Sequence, residues 1–348
     1  MPCDLRRLPG TAAPPPRGGS RFDIAGPLLD VVEAGRRAAV ATVIGVRGSA
    51  PRPAGASMAV LDDGTVVGSV SGGCVEGAVY EAALGVLAGG PPVRDRYGIS
   101  DDDAFGVGLM CGGEIEVLVA LLPPDGPWLG PLRAAHEGLA ACLSLVVGGP
   151  PALVGTFVPD GPAEAGVEVF RELARPPARL IVCGANDFGV ALTEAAAFVG
   201  YSVTVCDARP VFATPERFPR ARDVVVSWPH TYLAGELAAE TIDERTVVCV
   251  LTHDPKFDVP LLAAALRMPV GFVGAMGSRA THEDRVAALV EVGATEFELA
   301  RLHSPIGLDI GGSTPQETAV AILAEVLAVR SGSSGLPLRA LDGPVHRG

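Results

Sequence analysis

Hydrophobic and polar positions follow two rhythms along the chain. In residues 23–122 the apolar runs are short and separated by glycine turns. Leu28, Leu29, Val31 and Val32 fall at near-helical spacing and predict a helix over 24–37. An apolar run over 39–46 predicts a strand, ended by the loop Gly48-Ser49-Ala50-Pro51-Arg52-Pro53. Residues 58–61 and 66–69 flank Asp62-Asp63-Gly64-Thr65, which has the turn chemistry of a hairpin. Gly72-Gly73 opens a second helix over 75–87, and strands are expected near 93–97 and 115–121.

Residues 123–178 are rich in proline and glycine and predict a helix over 132–141 and a hairpin of 145–147 with 154–158. From Arg179 the rhythm changes. Apolar runs at 180–183, 202–206, 223–226, 246–251 and 270–273 alternate with helical stretches, and long helices are expected at 279–292 and 315–330. Continuous apolar strands separated by helices indicate a parallel sheet covered on both faces. The expected fold class is α/β: an N-terminal α+β domain with its connector region (23–178), then a C-terminal Rossmann-like parallel-sheet domain (179–330). Residues 1–22 are expected to be a disordered leader and 331–348 a disordered tail.

Composition narrows the function classes. A chain of 348 residues, 48% of them hydrophobic, can bury two cores and is not disordered as a whole. No apolar run reaches the roughly eighteen residues of a membrane span. A formal charge of −13 repels phosphate backbones and argues against nucleic acid as a partner. The seven cysteines include no C-x-x-C pair, and Cys183, Cys206 and Cys249 sit inside apolar runs as small hydrophobes. That pattern offers neither a disulfide framework nor a zinc site, and it fits the reducing cytoplasm. Arg6-Arg7 precedes prolines rather than an apolar segment, so it is not read as an export signal.

Several segments carry candidate chemistry. Gly184-Ala185-Asn186-Asp187-Phe188-Gly189 follows the first strand of the second domain, where a dinucleotide pyrophosphate would bind. Gly184 and Gly189 hold the first and third places of the fingerprint, but Asn186 replaces the middle glycine. Asp207 stands about twenty residues further on, where an acidic residue would hold a ribose hydroxyl. These residues keep an NAD(P)-dependent oxidoreductase as the alternative reading, against the reading that they are fold architecture. Polar residues also gather at later strand ends: His253, Asp254 and Lys256 (the only lysine), then Gly277, Ser278 and Arg279 at a helix start suited to an anion. Gly311 and Gly312 precede the capping box Thr314-Pro315-Gln316-Glu317. His303 is open between a ligand and a packed histidine.

In the first domain Ser71, Gly72, Gly73, Cys74 and Glu76 place exposed N–H groups, a thiol and a carboxylate at a helix start. Phosphates or a pterin could sit on those N–H groups, and the helix dipole would favour a thiolate. Cys111, Gly112 and Gly113 repeat that chemistry in reverse order. Two such segments point to a shared cofactor site, against the plainer reading that each cysteine is a packed small residue.

Taken together these segments resemble the XdhC/CoxI family of xanthine dehydrogenase and carbon monoxide dehydrogenase accessory proteins. The resemblance rests on residues 47–55, 68–77, 111–113, 251–256, 273–279 and 303–317. It implies a cytoplasmic maturation factor, usually a homodimer, and favours a non-catalytic factor over an enzyme. Such a protein binds the molybdenum cofactor transiently in its molybdopterin form and protects it during sulfuration. It then delivers the cofactor to a molybdenum hydroxylase, with a cysteine desulfurase as the other partner. Relatives often carry Gly-Ala-Gly-His in the Rossmann loop; Gly184-Ala185-Asn186-Asp187 departs from that pattern.

Overall fold

The structure is a computed structural model that describes residues 20–98, 113–161 and 164–342. The chain divides into two compact units, residues 1–176 with 342–348, and residues 177–341. No helix among the described residues is long and apolar enough to cross a membrane.

The first unit is built on an antiparallel sheet of β1 (Ala38–Arg47), β2 (Ser57–Leu61), β3 (Val66–Gly68), β4 (Val93–Tyr97) and β5 (Glu114–Leu121), in the order β3-β2-β1-β5-β4. Alternation along β1 supplies both cores, because side chains of a strand point to opposite faces in turn. Ala39, Ala41 and Val43 join the core under helix α2 (Glu76–Leu87), with Val79, Ala83 and Val86. Ala38 and Val40 join the core under helix α1 (Ala25–Glu33), with Leu28, Leu29 and the fully buried Trp128.

A second sheet, ordered β7-β6-β8, contains β6 (Ala141–Gly148), β7 (Phe157–Val158) and β8 (Glu168–Ala174). Here the expected helix over 132–141 is corrected. Helix α3 spans Leu129–His136, and Ala141 already belongs to a strand. Gly138 stops the helix at φ +79°. The N–H groups of Gly138 and Leu139 donate back to the carbonyls of Ala135 (3.0 Å) and Ala134 (2.8 Å). This paired closure needs a left-handed residue, which glycine adopts at no steric cost.

The expected leader also changes at its end. Residues 1–19 lie outside the described residues, but Arg21–Ile24 form a 3-10 turn, and Arg21 is buried. Its Nη2 donates to Thr42 Oγ1 at 2.7 Å, its Nε lies 3.6 Å from Glu172 Oε2, and its guanidinium rests 4.8 Å from the Phe157 ring centroid. Burial pushes the Glu172 carboxyl up and the Arg21 guanidinium down, each opposed by the other's charge. The pair joins the N-terminal turn to β8.

The second unit has a six-stranded parallel sheet of β9 (Arg179–Cys183), β10 (Ser202–Asp207), β11 (Asp223–Val226), β12 (Val247–Val250), β13 (Phe272–Ala275) and β14 (Leu302–His303). Their order, β11-β10-β9-β12-β13-β14, is the doubly wound Rossmann order, with β9 beside β12 at the reversal point. Helices α4 (Asp187–Phe198) and α9 (Pro315–Ser331) cover one face through Leu192, Ala196, Ile322 and Val326. Helices α5 (Pro229–Ala238), α6 (Pro255–Arg267) and α7 (Arg279–Glu291) cover the other through Leu233, Leu261, Leu262 and Leu289. A short α8 (Glu296–Leu299) leads into β14. Cys183, Cys206 and Cys249 are buried in the sheet, and burial raises their thiol pKa values, that of Cys206 to about 12. Past α9, within the expected tail, Leu338–Ala340 form a further 3-10 turn.

Removing one member of the Arg21–Glu172 pair leaves a buried charge without a partner. Glu172→Ala is expected to cost about 3 kcal/mol in chemical denaturation, whereas the double change Arg21→Met with Glu172→Leu should cost clearly less. Equal losses in the two proteins would show that the pair is not what the site depends on.

Candidate functional site

The carboxyl edge of the parallel sheet brings together most of the residues singled out in the second domain. Gly184 sits at φ +121°, and a Cβ there would lie 3.0 Å from Thr252 Cγ2 and 3.2 Å from the Leu251 carbonyl carbon. A Cβ on Gly189 would stand 2.6 Å from the Gly184 carbonyl oxygen. Both glycines are therefore required by close backbone approach. Asn186 caps α4: its Oδ1 accepts from the Gly189 N–H at 2.9 Å, and its Nδ2 donates to the Leu251 carbonyl at 2.7 Å. One amide thus ties the glycine loop to the end of β12 across the reversal point.

Asp207 is likewise committed inside the protein. Its carboxylate accepts from the Ala185 N–H at 2.7 Å and from Arg209 Nε and Nη2 at 2.9 and 2.7 Å. Burial works against its charge, but Arg209 and the Ala185 N–H outweigh it and hold its pKa below the usual range. The Ala185 N–H and the acceptor suited to a ribose are thus bonded to each other, and the Gly189 N–H to Asn186.

The neighbouring loops are arranged differently. Asp254 caps α6 by accepting from the Lys256 N–H at 3.1 Å, while the side chains of His253 and Lys256 are exposed. Ser278 caps α7 through the Thr281 N–H at 3.1 Å, Gly277 has φ +155°, and Arg279 is exposed. Gly311 is left-handed at φ +76°, and a Cβ on Gly312 would meet the Glu317 backbone at 3.0 Å. The Glu317 carboxylate accepts from the N–H groups of Ser313 (2.9 Å) and Thr314 (3.0 Å), which draws its pKa down to about 2. His303 resolves as a packed histidine: its ring stacks on Phe272 at 4.3 Å, and Nδ1 lies 3.0 Å from Glu325 Oε1.

Beneath these loops lies a buried polar network that pattern reading missed. Thr252 Oγ1 donates to Asp258 Oδ1. Arg285 Nη2 lies 3.7 Å from Asp258 Oδ2 and donates to the Met276 carbonyl at 2.8 Å, while its Nη1 donates to Ser304 Oγ at 2.9 Å. Burial pushes the Asp258 carboxyl up and the Arg285 guanidinium down, each partly offset by the other. The network pins the loops that follow β12, β13 and β14. A signal was present in the sequence, since Asp258 occupies the inward stripe of α6 with Leu261, Leu262, Ala265 and Leu266.

In the first unit the expected open N–H groups prove to be occupied. Glu76, the first residue of α2, folds its carboxylate back onto the glycine loop. It accepts from the N–H groups of Ser71 (2.9 Å), Gly72 (2.9 Å) and Gly73 (2.8 Å), and from the hydroxyls of Ser69 (2.7 Å) and Ser71 (2.5 Å). Partial burial raises its pKa, but the hydroxyls of Ser71 and Ser69 and the backbone of Ser71 outweigh that and bring it to about 2. The loop is an anion nest that holds the chain's own carboxylate. Cys74 is partly buried against the α2 core, and its N–H donates to Ser71 Oγ at 3.1 Å. A Cβ on Gly113 would fall 2.2 Å from the Ser49 carbonyl oxygen, so that glycine allows β5 to start against the loop after β1. Cys111 and Gly112 lie outside the described residues.

With this geometry in hand, comparison with known proteins is informative. Two family models match the chain in order, that of the XdhC and CoxI family over residues 31–98 and that of the XdhC Rossmann domain over residues 180–326. The chain belongs to the XdhC/CoxI family. It is 29% identical over 303 residues to the molybdenum cofactor insertion chaperone PaoD of Escherichia coli (strain K12), an alignment covering 87% of this chain and 86% of that protein. It is 28% identical over 329 residues to a probable xanthine dehydrogenase subunit of Bacillus subtilis (strain 168), covering 87% and 96%. A crystal structure described as a xanthine dehydrogenase from Bacillus halodurans has the same fold, with a TM-score of 0.69 and 26% identity, over 92% of this chain and 98% of that one.

Two outcomes test the site. Glu76 has its folded pKa, about 2, below the ordinary 4.5, so its bonds stabilise the protein above pH 4.5 and are lost as pH falls toward 2. Glu76→Gln is expected to cost about 1–2 kcal/mol at pH 7 and to flatten the fall in melting temperature between pH 4.5 and 2; an unchanged acid limb would refute the nest. Asn186→Gly, which restores the fingerprint, should lower stability by about 1 kcal/mol, mostly through loss of the bond to the Leu251 carbonyl and by a few tenths through loss of the cap. It should still give no heat with NAD(H) or NADP(H) in calorimetry, since Asp207 remains engaged; micromolar binding would contradict that account.

Proposed function

We propose that this protein is a molybdenum cofactor-binding accessory protein. It protects the cofactor during sulfuration and delivers it to a molybdenum hydroxylase of the xanthine dehydrogenase or carbon monoxide dehydrogenase type. The observation that carries this reading is the similarity to the insertion chaperone PaoD, which extends over 87% of the chain and so takes in both units. The cofactor is held transiently in its molybdopterin form, a cysteine desulfurase supplies the sulfur, and the chain acts as a cytoplasmic homodimer.

The chemistry of the sheet edge supports the reading. A handover protein has to bind a phosphate-bearing pterin and then release it. Lys256 and Arg279 present exposed cations at the starts of α6 and α7, where helix N-termini also favour an anion. Exposed charges of this kind bind in high-dielectric surroundings, so each contributes modestly and none locks the ligand in place. His253 adds a further exposed donor beside Lys256. The nicotinamide alternative lacks comparable support, because Asn186, Asp207 and Ala185 already satisfy one another's neighbourhood.

Purified protein mixed with molybdenum cofactor at micromolar concentration is expected to carry molybdenum and pterin through gel filtration. The double variant Lys256→Gln, Arg279→Gln should retain roughly tenfold less, on the order of 1.4 kcal/mol of binding. Elution of the unaltered protein free of pterin would overturn the proposal.

A further inference from the structure

The chain has two tryptophans, Trp128 and Trp228, in opposite situations. Trp128 is fully buried in the first unit, whereas Trp228 is 48% exposed at the carboxyl edge of the Rossmann sheet. Its indole stacks on Phe257 with ring centroids 4.7 Å apart and planes at 27°. Trp228 is the residue before α5, Phe257 lies in the first turn of α6, and each of these helices starts with a proline, Pro229 and Pro255. Proline fixes its own φ and restricts the residue before it, so the backbone at Trp228 is stiff, while Phe257 is held within the first turn of α6. The Ser227 N–H donates to the Asp207 carbonyl at 3.2 Å, which anchors the turn leading to Trp228 on the end of β10.

The surroundings give this pair a binding character that an ordinary apolar patch lacks. Lys256 adjoins Phe257 in the chain, His253 lies on the same loop, and both side chains are exposed. The acidic residues of that loop are engaged, Asp254 with the Lys256 N–H and Asp258 with Thr252 and Arg285. A stacked aromatic plate, with an exposed cation one residue from its supporting ring in the chain, matches a planar heterocycle that carries a negative group. In an open α/β sheet the ligand crevice lies at this carboxyl edge.

We infer that Trp228, backed by Phe257, is the stacking platform for the pterin ring of the bound cofactor, with Lys256 facing the anionic substituent. This deepens the carrier reading above and rests on it for the identity of the ring. Trp228 is a binding residue in this scheme, Phe257 its support.

The test uses the full chain and two probes, pterin-6-carboxylate followed by its own fluorescence anisotropy and adenosine 5′-monophosphate followed by calorimetry. Alongside these, molybdenum cofactor retention is measured through gel filtration. The unaltered protein should bind pterin-6-carboxylate, Trp228→Ala should weaken binding about tenfold or more, and Trp228→Phe should stay within about threefold. Lys256→Gln should weaken binding of the carboxylate but not of uncharged 6-hydroxymethylpterin. Circular dichroism and thermal melting of Trp228→Phe and Trp228→Ala separate loss of the plate from loss of fold.

Retention of cofactor by the unaltered protein and by a folded Trp228→Ala alike would overturn the platform and leave the carrier reading standing. Pterin binding that depends on Trp228, without cofactor retention, would support the platform and sink the carrier reading. Binding of adenosine 5′-monophosphate in preference to the pterin, or of neither probe, would overturn the assignment of the ring.

Discussion

Backbone N–H groups at a loop that opens a helix have no partner within the helix and must be bonded elsewhere. In this chain side chains meet part of that need at several loops of interest, most of them from a few residues away and Asp207 from the end of the next strand. Glu76 fills the Ser71-Gly72-Gly73 nest, Asn186 caps the glycine loop, Asp207 holds the Ala185 N–H, and Glu317 closes the turn after Gly312. The loops are consequently ordered without any ligand. What projects beyond them is exposed side chains, among them Lys256 and Arg279 at the starts of α6 and α7.

That division suits a protein that must let go of what it binds. A nest of convergent N–H groups around a phosphate gives several charge-assisted bonds at once, and these are the strong kind. Here bonds of that kind go to the chain's own carboxylates, Glu76 and Glu317, and draw their pKa values down. The buried Asp258–Arg285 network plays a matching part by fixing the loops after β12, β13 and β14 from below. Its charges face the interior and hold the edge in one shape, which spares an incoming ligand the cost of ordering it.

Much of the architecture was legible because it depends on local pattern. The apolar runs at 180–183 and 202–206 reappear as β9 and β10, since a strand buried on both faces needs no alternation to be seen; the run at 223–226 reappears as the edge strand β11, exposed at Asp223 and Val226. Strand β14 is only Leu302–His303, too short to give any period. The end of α3 was set by Gly138, a stop signal present in the sequence but hidden within a run that otherwise reads as helical. Arg21 was unreadable for another reason. Nothing near it in sequence says that a charge beside a proline-rich segment will meet Glu172, some 150 residues away, inside a core.

The candidate site shows the same limit in sharper form. Serine, glycines and glutamate in Ser71-Gly72-Gly73-Cys74-Val75-Glu76 announce an anion nest, and the nest exists. Sequence cannot tell whether the carboxylate three residues on is a neighbour of the ligand or its substitute, because both need the same spacing. Only the distances decide, and they make Glu76 the occupant. Asn186 follows the same logic. A glycine in its place would leave the Gly189 N–H open and the crevice between β9 and β12 unbridged; the amide closes both with one side chain. A departure from a motif is therefore informative when the new side chain can be traced to the partner that the lost one was meant to leave free. By that measure the recognition surface we propose is the stretch beside the glycine loop, on Trp228, Lys256 and Arg279, where aromatic and cationic groups still face outward.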